Sequence, residues 1–154
     1  MNFPSIPDEG DLFGGITFSA VDVHLPDIDI TVISNWLSAV AKTYGRSIRS
    51  LSYVLCSDAY LIEMNVERLN HDTYTDIITF DLCDNEPNII EGECYISLER
   101  VKENAQIFNV SSVDELRRVL VHGLLHLCGL GDKSDAESIV MREAEELALN
   151  MLKV

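Results

Sequence analysis

The ten residues from Val119 to Cys128, VLVHGLLHLC, restrict the possible folds more than any other stretch of the chain. Val119, Leu120, Val121, Leu124, Leu125 and Leu127 make a helix that is apolar almost all round, so it has to be enclosed by other elements. His122 and His126 are then withdrawn from water and need partners. Positions i and i+4 lie one above the other on a helix face, so a single ion can take both imidazoles at about 2.0–2.1 Å. Gly129 ends the helix, and the Leu130-Gly131 turn can carry Asp132 back as a third, oxygen donor. Three protein donors leave a position for water, as in catalytic sites; a structural zinc would take a fourth side chain, usually Cys. The H-E-x-x-H pattern of metalloproteases is absent, because Gly123 stands where their catalytic Glu would be.

The rest of the chain supplies elements that can enclose such a helix. Residues 1–15, rich in Pro, Gly and acid, read as an N-terminal arm, and residues 16–154 as a single domain. Ile16 to His24 alternates like a strand. From Asp29 to Tyr44 apolar residues recur at three and four, giving an amphipathic helix that stops near Gly45. Ser50 to Cys56 reads as a second strand, and Asp58 caps a helix that frays near Asn70-His71-Asp72. Tyr74–Cys83 and Gly92–Leu98, separated by the turn-like DNEPN, are expected to be neighbouring strands. Three helices follow: Glu99–Phe108, Val113–Cys128 behind a Ser111-Ser112 cap with Glu115 three beyond Ser112, and Asp135–Leu152. The fold class is α+β: a mixed sheet of about four strands packed with helices, with the metal site on a helix in the C-terminal half.

Charge narrows the partners. The 154 residues carry a net charge of −15, so no global field attracts nucleic acid and a polyanionic substrate must be held locally. A few Arg and Lys beside a metal can invert the local potential. With 47% hydrophobic and 24% charged residues the chain falls in the soluble globular class. No apolar run approaches a membrane span, and the start MNFPSIPDEGDLFGG lacks a signal-peptide pattern, so the expectation is a cytoplasmic protein without a membrane partner. Cys56, Cys83, Cys94 and Cys128 form no C-x-x-C pair and sit in apolar segments, as reduced core thiols would.

The central stretch resembles the YbeY family of metal-dependent endoribonucleases, the ribosomal RNA maturation factors, whose signature is H-G-x-L-H-L-x-G-Y-D-H. His122-Gly123-Leu124-Leu125-His126-Leu127-Cys128-Gly129 matches it position for position, and Met141 with Glu145 matches the M-x-x-x-E that follows. Tyr74-Thr75-Asp76-Ile77-Ile78-Thr79-Phe80 is similar to the family's P-T-D-V-L-S-F strand, and Gly92-Glu93-Cys94-Tyr95-Ile96-Ser97 to its G-D-I-x-I-S. Three positions depart. Asp132 falls where the family has its third histidine, Leu69 falls where its Arg is expected with Arg68 one position early, and Glu93 replaces an Asp.

The resemblance implies a single-strand-specific endoribonuclease acting on ribosomal RNA precursor at the 16S 3′ end and on the small ribosomal subunit, with no DNA substrate. It implies a metal held by His122, His126 and Asp132, zinc with Mn or Fe as alternatives, and phosphate contacts from Arg68 and Lys133. Glu145 could support a ligand imidazole, Thr75 and Asp76 could order a turn near the site, and Met141 reads as core; His24 and His71 lack a partner at ligand spacing. Oligomeric state is left open, with a monomer favoured. Two other readings compete: a two-histidine, one-carboxylate iron enzyme, and a ribosome-associated binding protein with a structural metal. An open coordination position beside a cleft would separate catalysis from a structural site.

Overall fold

A computed structural model describes residues 15–69 and 75–152, with the side chains of residues 67–69 outside the description. Of the expected arm, only Gly15 is among them. The elements run β1 (Ile16–Val21), α1 (Ile30–Thr43), β2 (Ser47–Cys56), α2 (Asp58–Leu69), β3 (Ile77–Asp81), β4 (Ile89–Ser97), α3 (Leu98–Phe108), α4 (Ser112–Leu127) and α5 (Asp135–Met151). The four strands form one mixed sheet in the order β1-β2-β4-β3, with β1, β2 and β4 parallel and β3 antiparallel to β4 at the edge. The expected pairing of neighbouring strands beside the helix that carries His122 and His126 is therefore present, as is the α+β class.

Alternation along the strands decides which layer each helix joins. Leu51, Tyr53, Leu55, Ile90, Cys94 and Ile96 point to one face and share a core with α1 and α4. Cys56 and Ile78 point to the other, where Leu61 and Met64 of α2 cover them together with Phe80 and Tyr95. As its composition requires, α4 is enclosed: Val121, Leu124 and Leu125 are fully buried, each worth roughly 1.5–3 kcal/mol of apolar burial. Met141, Ala144 and Ala148 bring α5 onto the same core, and the Trp36 indole N–H donates to the Ala148 carbonyl at 2.7 Å. Among the described residues no helix is long and apolar enough to cross a membrane.

Several boundaries move for local reasons. Ser57, rather than Asp58, caps α2, its hydroxyl accepting from the Tyr60 N–H at 3.1 Å. Asp58 instead faces Arg100 at 3.5 Å, tying α2 to α3. Ser111 alone caps α4, through the Asp114 N–H at 3.0 Å, while Glu115 is buried beside Arg118. The Ser134/Glu137 capping box that starts α5 went unread in the sequence. β4 begins at Ile89, because it extends to pair with Ser47 and Ile48 of β2. The fraying expected at residues 70–72 lies outside the described residues.

Candidate metal centre

The site is built where α4 is pressed onto the sheet. A Cβ on Gly123 would lie 2.7 Å from Cys94 Sγ, and one on Gly92 2.7 Å from the Phe80 carbonyl oxygen and 3.0 Å from the Leu127 methyls. Only hydrogen fits at either position. Gly123 faces the sheet, so this helix has no room for a glutamate base between its histidines. The Tyr53 hydroxyl, fully buried, donates to the Leu120 carbonyl at 2.7 Å and fixes the helix along its axis.

The end of α4 closes as a Schellman motif. Leu130 N–H donates to the Leu125 carbonyl at 3.1 Å, Gly129 N–H donates to the His126 carbonyl at 2.9 Å, and Gly129 has φ +102°. This bend turns the Leu130 carbonyl back onto the helix, where His126 Nδ1 donates to it at 2.9 Å. His122 Nδ1 lies 2.5 Å from Glu145 Oε2 on α5. With both Nδ1 atoms engaged, both Nε2 atoms are left to face outward. They converge on Asp132: His122 Nε2 is 3.4 Å and His126 Nε2 3.3 Å from Asp132 Oδ2. Donors about 2.0–2.1 Å from a tetrahedral ion lie about 3.3–3.4 Å apart, so these spacings, with two imidazoles and a carboxylate, fit a divalent cation. The three donor atoms lie within 4.8 Å of one another.

Behind His122 is a buried charge cluster. Glu145 and Glu115 are each 2% exposed, and Arg118 binds both, reaching Glu145 Oε1 at 3.1 Å and Glu115 at 2.6 and 3.0 Å. Burial would raise the Glu145 carboxyl, but hydrogen bonds and charge from His122 and Arg118 outweigh it and hold the group below its ordinary value. Asp76, 3.9 Å from Arg118, is shifted the other way: burial raises it, and Arg118 only partly offsets that.

A family model described as Endoribonuclease YbeY matches residues 21–153. The chain belongs to this family. It is 46% identical over 138 residues to the endoribonuclease YbeY of Porphyromonas gingivalis, covering 90% of each chain. It is 48% identical over 121 residues to that of Flavobacterium johnsoniae, covering 79% of this chain and 86% of the relative. Among solved structures, it superposes on the solution structure of TM1509 from Thermotoga maritima with a TM-score of 0.64 and 25% identity, over 88% of this chain and 89% of that one. The matched range contains all three residues that converge at the end of α4.

Beside the donors opens a cleft of about 540 Å³, lined by His126, Asp132, Lys133, Asn65, Thr75 and Asp81 among others. Edge strand β3 forms its wall. Lys133 borders this cleft, whereas the Arg68 side chain lies outside the described residues, as does His71. Thr75 reaches the cleft but Asp76 turns to Arg118. Glu93 projects from the sheet face away from α4 and accepts from the Tyr95 hydroxyl at 3.1 Å, so this departure from the family pattern does not touch the donors. Met141 is core at 2% exposed, and His24 is exposed. Reading the sequence missed Arg118, Glu115 and the Leu130 carbonyl. The steps from Glu115 to Arg118, His122 and His126 are three, four and four, the spacing of one helix face, and that pattern could have linked the first two to the site.

Proposed function

We propose that this chain is a metal-dependent endoribonuclease that cleaves single-stranded RNA in the cytoplasm, in the maturation of ribosomal RNA at the 16S 3′ end on the small subunit. His122 and His126 through Nε2, and Asp132 through a carboxylate oxygen, are the ligands of a divalent ion, zinc first and Mn or Fe as alternatives. When bound, the ion supplies Lewis acidity toward a water and a phosphate oxygen. Glu145 and the Leu130 carbonyl hold the two imidazoles in the tautomer that ligation needs. Lys133, at the cleft margin, supplies positive charge for a phosphate, and Arg68 is a second candidate for that role. The convergence of two Nε2 atoms and Asp132 Oδ2 beside an open cleft carries this reading, since a purely structural ion would be closed off by a fourth side chain.

Elemental analysis of the purified protein, followed by incubation with single-stranded and structured RNA with and without chelator, tests it. A bound divalent ion and cleavage of the single-stranded RNA that chelation abolishes are expected. Undiminished cleavage after complete removal of metal would overturn the assignment. RNA affinity is expected to be weak because the chain is strongly acidic, and to fall with added salt because it depends on a few cations such as Lys133 and Arg68.

A further inference from the structure

We propose that Arg118 is a positioning residue for the metal centre: it orients Glu145 so that Oε2 alone faces His122, which sets the proton of that imidazole on Nδ1. The geometry makes this a chain of single-purpose contacts. Nε and one terminal nitrogen of the Arg118 guanidinium grip the two oxygens of Glu115 at 3.0 and 2.6 Å, which leaves the other terminal nitrogen for Glu145 Oε1 at 3.1 Å. A planar guanidinium clamped on one side by a bidentate carboxylate has little freedom to rotate, so its remaining donor points in one direction. Glu145 therefore meets Arg118 with one oxygen and His122 Nδ1 with the other, at 2.5 Å. Asp76 of β3, 3.9 Å from the same guanidinium, brings the edge strand into the assembly, so α4, α5 and the cleft wall meet at one side chain.

A free, neutral histidine side chain favours the proton on Nε2, the atom that here must be left bare. A carboxylate acceptor at Nδ1 reverses that preference, provided the carboxylate is held in line. Arg142 also lies near Glu145 Oε1, at 3.6 Å, but its side chain is 60% exposed, and it does not touch Glu115. It cannot replace the clamp. If Arg118 merely neutralised two buried acids, its loss would lower stability and leave the His122 tautomer unchanged.

The decisive measurement is nitrogen NMR of the His122 ring in chelator-treated protein, read from the pair of ring-nitrogen shifts that marks the neutral tautomers. This arm needs no metal, so it stands or falls independently of the ligand assignment. The parent is expected to show the Nδ1–H form. Arg118→Met is expected to move His122 toward Nε2–H and, in a chelator competition with zinc, to weaken metal binding by about tenfold or more. Arg118→Lys, which keeps the charge but not the fork, is expected to fall between the two, and it decides the matter if the Met variant does not fold. His24, remote from the cluster, should keep its tautomer in every variant. A folded Arg118→Lys or Arg118→Met protein with the parent's Nδ1–H form and the parent's zinc affinity would overturn the proposal.

Discussion

Replacing Gly123 by alanine tests the claim that α4 rests on the sheet at a distance only glycine allows. The added methyl would lie 2.7 Å from Cys94 Sγ and 2.9 Å from Ile77 Cδ1. Carbon contacts are comfortable at about 3.5–4.0 Å, so the overlap is about 1 Å. Cys94 is 0% exposed in the middle of the sheet and has no free space to rotate into. Relief comes from lifting α4, which carries His122 and His126 away from the sheet. The cleft wall on β3 does not move with them, so the imidazoles shift relative to Thr79 and Asp81. Overpacking of this kind costs about 1–3 kcal/mol, while Gly to Ala within a helix returns about 1 kcal/mol. A net loss of about 1 kcal/mol corresponds to a fall of about 2–4 °C in Tm for a chain of this length. The effect on function should be larger than the effect on stability, since a displacement of about 1 Å between reacting groups can cost about a hundredfold in rate. Thermal melts, metal content and RNA cleavage measure the three consequences, and Cys94→Ala in the Gly123→Ala background should recover most of each. If Gly123→Ala alone melts at or above the parent and retains full metal, the close approach is not what requires glycine.

His122→Ala and His126→Ala should each purify with far less metal than the parent, and so should Asp132→Ala. Asp132→His should keep metal and narrow its preference toward zinc, because imidazole is the softer donor; elemental analysis after growth in mixed metals reads both. Arg46 donates to the Cys128 carbonyl at 3.1 Å, placing a cation at the C-terminus of α4. Arg46→Ala should therefore destabilise the protein by about 1 kcal/mol in a denaturant titration, and a variant with unchanged stability would show the cap to be idle. Burial pushes the Cys56 and Cys94 thiols up to about 12 and Cys128 up to about 11. Raised folded values mean that the thiol form stabilises the fold below the ordinary value of 9.0 and that this stabilisation is lost as pH climbs through 11 to 12. Denaturation midpoints should thus fall above about pH 9, and at neutral pH an alkylating reagent should label the partly exposed Cys83 first.

Much of the candidate metal site was legible because its decisive signals are local. The pair His122 and His126 is an i, i+4 relation, Gly129 is a helix stop, and an apolar helix has to be buried; each follows from the period of the backbone. The strand pair β3 and β4 was legible for the same reason, from alternation on either side of a turn. What the sequence left unsaid concerns groups distant along the chain. Whether Glu145 meets an imidazole or faces solvent turns on the packing of α5 against α4, which brings it to His122 across 23 residues. Glu115, three residues past a serine, looked like a capping partner until Arg118 claimed it in the interior.

Gly123 shows the division most clearly. From the sequence it is simply the absence of a metalloprotease glutamate; in the fold it is the contact that lets a helix bearing two histidines lie against Cys94 and Ile77. The sequence by itself determined the α+β elements, the two imidazoles on one helix face and the turn after them, because secondary structure answers to spacing along the chain. The tertiary structure alone decided that Asp132 meets those imidazoles at 3.3 and 3.4 Å and that Arg118 and Glu145 stand behind them. Those distances come from close packing of α4 on the sheet and of α5 against α4, and close packing depends on the shapes of residues far apart in sequence.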